Sequence, residues 1–181
     1  MNSPKKTSRK TLLILLLAFL LPVIAAKLVL SLHLYQGGAT NQGELLPPEF
    51  SYQSLAMANP HPESWQILYL LPTQCDRPCQ DRLYILQQSH IALGKDQDRV
   101  TTIVLLQNDS DAKALEGFHF ETASSTPELS QLLNEQQLVV VDPLGALVMR
   151  YQQVADKEQQ IMQGKAMVND LRKLLKLSRV G

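Results

Sequence analysis

The chain is poor in cysteine and has no charge excess, and both features narrow its class. Of 181 residues only two, Cys75 and Cys79, are cysteines. A domain of this size buries roughly two thirds of its unfolded surface and needs no covalent staple, so the pair is free to serve chemistry. Acidic residues are missing from the N-terminal stretch. Lys5, Lys6, Arg9, Lys10 and Lys27 lie in the first 35 residues, and every Asp and Glu follows them. The whole chain is neutral, but residues 36–181 hold 12 basic and 17 acidic side chains, a net of −5. That balance excludes the basic patch of a nucleic-acid-binding domain. There is no Ser/His/Asp set, paired-carboxylate cleft or glycine-rich phosphate loop, and no internal repeat or low-complexity tract.

What the chain does have is a long apolar run. Residues 12–26 form 15 uncharged positions, about 22 Å of helix, short of the roughly 30 Å hydrocarbon core. Lys27 interrupts the run and residues 28–35 resume it. Extended to Leu34 the segment reaches about 34 Å, with Lys27 snorkelling to the outer interface and Pro22 tolerated. Residues 11–35 therefore read as a transmembrane anchor and residues 1–10 as a basic cytoplasmic N-terminus, since flanking positive charge stays inside. A cleavable signal peptide ending near Ala25-Ala26 is the competing reading. Under either, the rest of the chain is exported to a compartment that permits disulfides.

Residues 36–50, rich in Gly and Pro, read as a linker, and residues 51–181 as one folded domain. Residues 65–71 (WQILYLL), ended by Pro72, suit a buried strand. Arg77-Pro78 opens a helix. Cys79, Leu83, Leu86, His90 and Leu93 recur along it at steps of three or four, one face of a helix, and Gly94 ends it. Residues 100–106 (VTTIVLL) form a second strand and residues 127–133, led by Ser125-Thr126, a short helix. Residues 138–141 (LVVV) form a third strand. Asp142-Pro143-Leu144-Gly145 turns the chain into a fourth, residues 146–151. Residues 165–177 close as a helix with Val168, Leu171, Leu174 and Leu175 inward. Its Arg172, Lys173 and Lys176 sit where the helix dipole favours cations. This order predicts an α/β, thioredoxin-like three-layer domain preceded by one N-terminal transmembrane helix.

Cys75-Asp76-Arg77-Pro78-Cys79 falls between the first strand and the first helix. A helix N-terminus lowers thiol pKa through its dipole and free N–H groups, and Arg77 adds positive charge. Two sulfurs at this spacing close a disulfide or clamp one soft metal ion. The spacing is C-x3-C rather than the C-x-x-C of the usual redox motif. A passive disulfide or a pair of inert thiols is the bland alternative. A functional pair requires both sulfurs to meet at the exposed mouth of the helix.

The C-x3-C after the first strand, the single anchor and the later Asp-Pro-x-Gly hairpin resemble the Sco/SenC family of copper-handling cytochrome oxidase assembly proteins. The segments TNQGELLPP, WQILYLLPTQCDRPCQDRLYILQQ, ALGKDQDRV, VVDPLGALVMRY and DLRKLLKLSRVG look like a Sco-related, membrane-anchored proteobacterial group, over most of residues 40–181. The resemblance implies an inner-membrane, single-pass protein with its C-terminal domain in the periplasm. Its implied partners are cytochrome c oxidase subunits or other assembly factors. It also implies a copper site made by Cys75, Cys79 and a histidine. The family places that histidine shortly before the strand leading into the Asp-Pro-x-Gly turn, and here residues 134–138 (NEQQL) contain none.

Four histidines are candidates to replace it. His33 lies at the membrane end. His90 is 11 residues beyond Cys79 on the same helix, about 16 Å away, and reads as a partly buried core residue. His61 precedes the first strand, at the end away from the cysteines. His119, in Gly117-Phe118-His119-Phe120 after the second strand, is the best substitute metal ligand. Met57, Met149, Met162 and Met167 are soft donors that read mostly as core filler. The expectation is an assembly factor handling copper, or the cysteine redox state of a copper site, through Cys75 and Cys79. The alternatives are a periplasmic thiol–disulfide oxidoreductase, whose usual Pro before the third strand is missing here, and a non-catalytic assembly scaffold.

Overall fold

The computed structural model describes residues 9–31, 40–133 and 136–178, and the chain divides into two compact units, Met1–Thr40 and Asn41–Gly181. In the first unit, α1 (Arg9–Ser31) runs unbroken through Pro22 and Lys27. Its stretch Arg9–Val29 is long and apolar enough to cross a membrane, by length and composition. Its leucines from Leu12 to Leu28, with Phe19 and Ile24, point outward, as a lipid-facing helix requires. The expected continuation over residues 32–35, and His33 with it, lies outside the described residues.

The second unit is built on a six-stranded sheet. Its strands are β1 (Glu44–Leu45), β2 (Trp65–Leu70), β3 (Val100–Leu106), β4 (Glu121–Ser124), β5 (Leu138–Val141) and β6 (Leu147–Tyr151), in the order β1-β6-β5-β2-β3-β4. Its helices are α2 (Arg77–Ala92), α3 (Pro127–Leu132) and α4 (Lys157–Leu177). β2, β3 and β4 are parallel, while β5 runs antiparallel to both β2 and β6. The parallel half and closing hairpin match the expected thioredoxin-like topology.

The central strands read as continuous apolar runs because both faces are covered. Alternate side chains of β2 go to opposite cores. Ile67 and Tyr69 join Leu83, Leu86, Met167 and Leu171 beneath α2 and α4. Leu68 and Leu70 join Ile103, Leu105, Leu129, Tyr52 and Leu55 on the other side. Each fully buried aliphatic side chain contributes about 1.5–3 kcal/mol, so the pattern that selects strand β2 also supplies much of the stability. The result is a three-layer sandwich with helices on both faces of the sheet.

Three boundaries differ from the sequence reading. The stretch read as a linker, residues 36–50, is part of the folded unit from Asn41 onward. Glu44 and Leu45 pair with Arg150 and Met149 of β6, and Glu44 meets Arg150 in a 2.8 Å ion pair. The Asp170 carboxylate, only 2 % exposed, accepts the N–H groups of Gln42 and Gly43 and the Tyr151 hydroxyl, and pairs with Lys173. Burial pulls the Asp170 carboxyl up, but these hydrogen bonds outweigh it and leave its pKa lowered.

The second difference is β4, a strand absent from the expected order. It is a four-residue, mostly exposed edge strand, and such a strand leaves no apolar run.

The third is α4, which begins at Lys157 rather than 165. Glycine weakens a helix interior by about 1 kcal/mol, yet Gly164 lies inside α4. The fold needs it there. A Cβ on Gly164 would lie 2.7 Å from Ser89 Oγ and 2.9 Å from Ile85 Cγ2, so glycine permits the close crossing of α4 over α2.

Candidate functional site: the Cys75–Cys79 disulfide

β2 ends at Leu70, and Pro72 takes the chain out of the sheet toward α2. Asp76 caps that helix, its carboxylate accepting the Cys79 N–H at 3.0 Å. Pro78 occupies the first turn, where its missing N–H costs nothing. This turn places Cys75 just before the helix and Cys79 inside its first turn, and the two sulfurs are joined as a disulfide. Among the described residues there is no free cysteine.

The sulfurs meet, as a functional pair requires, but not at a widely open mouth. Cys79 is fully buried and Cys75 keeps 8 % of its surface. Only the Cys75 side of the bond is approachable. The Cys75 N–H is held by Asp111 Oδ2 at 3.3 Å, and the Asp111 N–H donates to the Pro72 carbonyl at 3.0 Å.

Cys79 has a polar neighbour on its inner side. The Tyr69 hydroxyl, on β2, donates to Cys79 Sγ at 3.3 Å. One turn along α2, Arg82 is fully buried. Its guanidinium donates to Gln163 Oε1 and to the Val154 carbonyl. Burial pushes Arg82 down to about 10, while the nearby Tyr69 pulls it back up. Arg77, expected to add positive charge to the cysteines, instead points to solvent and pairs with Asp81 at 3.5 Å. The sequence reading missed Tyr69 and Arg82. The signal was available for Arg82: at i+3 from Cys79 it sits beside the apolar stripe, where an arginine is out of place.

The candidate third ligand does not come to the cysteines. β4 follows His119, and Glu121 pairs with Ile103, so His119 sits level with the N-terminal end of β3. There it shares a surface depression with His90, Val100, Thr101 and Glu121. The cysteines lie beyond the other end of the sheet. His90 is half-buried and hydrogen-bonds the Val100 carbonyl at 2.6 Å, in keeping with a core histidine. His61 pairs with Glu121 at 3.6 Å. Met149 and Met167 are core residues and Met57 packs partly buried, while Met162 is exposed.

The stretch where the Sco resemblance places a ligand histidine is occupied by Gln136 and Gln137, both buried; Asn134 and Glu135 lie outside the described residues. Gln136 has a left-handed backbone, φ 61°, and its Oε1 has no hydrogen-bond partner. Leu138 pairs with Tyr69, so these glutamines flank the cysteine end of β2. Among the described residues no group of three His, Cys, Asp or Glu is placed to hold a metal. Two sulfurs bonded to each other, with glutamine where a nitrogen donor belongs, do not fit a three-donor copper site.

A disulfide at the start of the helix that follows the central strand of this sheet defines a thioredoxin-like domain, here on a chain that also carries a candidate membrane helix. The family model described as "Transmembrane-like, thioredoxin-like, C-terminal domain" matches residues 65–178, and the chain belongs to that family. No curated protein matches the chain. Among solved structures, yeast Sco1 with copper bound is 17% identical, with a TM-score of 0.50, over 71% of this chain and 85% of that one. Apo Sco1 from Thermus thermophilus is 21% identical with a TM-score of 0.45, over 62% of this chain and 80% of that one. The bacterioferritin comigratory protein of Xanthomonas campestris is 14% identical with a TM-score of 0.48, over 62% and 80%. At these identities the likeness to yeast Sco1 is one of fold.

Proposed function

We propose that this chain is a membrane-anchored thiol–disulfide factor for cytochrome c oxidase assembly, acting from the periplasmic face of the inner membrane on the cysteines of a copper site. The observation that carries this reading is the Cys75–Cys79 disulfide at the start of α2, with Cys75 approachable and Cys79 sealed behind it. That asymmetry suits exchange. An incoming thiolate attacks Cys75 Sγ, the Cys75–Cys79 bond breaks, and the electron pair leaves on Cys79. A second thiol of the same partner then displaces Cys75, so the partner leaves as a disulfide and the pair is reduced. Run in reverse, the reduced pair returns a target disulfide to two thiols, the state a copper ion requires. The oxidase target and the export side rest on the Sco resemblance. Copper is the cargo of the target site in this reading, and no step passes through copper on this chain.

The test is complementation. In a strain lacking this protein, wild type restores oxidase activity and the Cys75→Ser/Cys79→Ser double variant does not. Full rescue by the double variant would select a scaffold instead. Copper(I) titration of the reduced full-length chain in detergent is the companion measurement. Cys-dependent affinity well above that of a simple dithiol would restore the copper-carrier reading.

A further inference from the structure

Resting on the thiol-exchange reading, we infer that Tyr69 and Arg82 form a buried receptor for the charge that reaches Cys79 when the disulfide opens. They are thereby positioning residues that set how readily the pair accepts electrons.

Arg82 is fully buried, and among the described residues no carboxylate lies within ion-pair distance of it. Its partners, Gln163 Oε1 and the Val154 carbonyl, are neutral, and its Nε has no hydrogen-bond partner. A buried cation without an anion is costly, and the fold leaves this one uncompensated in the disulfide state. The nearest ionisable carboxylate along the helix, Asp81, is already engaged by Arg77 and Lys157. The missing anion has one source close by. Cys79 precedes Arg82 by one helical turn, and Tyr69 lies against Cys79 on its inner side. Its hydroxyl donates to Cys79 Sγ, and its proximity to the guanidinium acts against the fall in Arg82 pKa that burial causes.

When a partner thiolate bonds to Cys75 Sγ, the S–S bond electrons move to Cys79 Sγ. The negative sulfur then accepts the Tyr69 hydrogen bond as a charge-assisted one and supplies the anion that Arg82 lacks. The gain exists only once the bond is broken, so it favours the reduced state. α4 and the loop before it keep the guanidinium from solvent: Gln163 and Val154 hold it, and Gln160 ties the Val154 carbonyl to that of Pro78.

The experiment is the equilibrium reduction potential of the full-length chain in detergent, read at fixed pH against a dithiothreitol couple by thiol alkylation. Arg82→Met is expected to make the disulfide at least tenfold harder to reduce, about 30 mV more negative. Arg82→Lys is expected to recover most of the shift. Tyr69→Phe, which removes one oxygen and keeps the packing, is expected to shift the potential in the same direction by a smaller factor. It also decides the matter if Arg82→Met does not fold. Potentials equal to wild type in Tyr69→Phe and in every folded Arg82 variant, with only the melting temperature changed, would reduce the pair to a structural tie between α2 and α4. A wild-type disulfide that never equilibrates with dithiothreitol would instead overturn the thiol-exchange reading itself, a distinguishable failure.

Discussion

The two ends of the sheet are chemically unlike. Beyond the C-terminal ends of β2 and β3 lie the disulfide, Asp111, and the buried glutamines 136 and 137. At the opposite end lie His61, His90 and His119 with Glu121. Five steps of β3, from Val100 to Leu105, put about 16 Å between the two levels. Among the described residues, a fold that keeps its sulfur donors at one end and these three imidazoles at the other cannot close both on one ion. What is left at the sulfur end is a disulfide with a polar lining.

The largest expected effect is at the crossing of α4 over α2, the layer that covers the sheet between these ends. Gly164→Leu puts a side chain where even a Cβ collides with Ile85 and Ser89. The helix-propensity gain of about 1 kcal/mol is overwhelmed by overpacking of about 3 kcal/mol. Denaturant unfolding should show a net loss of about 2 kcal/mol or more.

Next comes the sulfur end. Cys79→Ser opens a loop of a few residues, for which chain entropy predicts a loss of about 2 kcal/mol. The same unfolding measurement should find His119→Ala changed by no more than about 0.5 kcal/mol, as for a surface position. Equal losses would mean that the two ends are not distinct in the way described.

Moving a nitrogen donor across sharpens the contrast. Gln136→His is expected to raise the copper(I) affinity of the reduced chain about tenfold, or about 1.4 kcal/mol, in competition against a chromophoric chelator. His119→Ala should leave it unchanged.

The smallest effect is at the sheet margin. The Arg150 hydrogen bond, with one from Gln152, holds the Glu44 carboxyl down at about 2. A carboxylate lowered in the folded state stabilises above its ordinary value of 4.5 and loses that contribution as pH falls toward 2. Acid unfolding of Glu44→Gln should therefore depend less on pH in that window than wild type, while matching it in shape above pH 5.

Most of this was legible from residues buried on both sides. β2, β3 and β5 show as apolar runs because nothing about them faces water, and α2 shows through the stripe from Cys79 to Leu93. The cysteine motif was readable as a pair at a helix start. What escaped has physical causes. β1 and β4 are two and four residues of mostly exposed edge, too short to carry a period. The first two turns of α4 were hidden by Gly164, whose value lies in a contact with a helix 75 or more residues away. Tyr69 reads as one more residue of the apolar run of β2, and only the folded chain brings its hydroxyl to Cys79. His119 follows β3 in the chain, and β4, too short to show in the sequence, sets it at the end of the sheet away from the cysteines.

The short outer strands have a last consequence. Each lateral margin of the sheet ends in a few residues that include a glutamate, Glu44 on one side and Glu121 on the other. Such margins offer little backbone for another polypeptide to zip against. A visiting protein would thus have to engage this domain through side chains and loops, and the approachable face of Cys75 is where such a visit can leave a covalent trace.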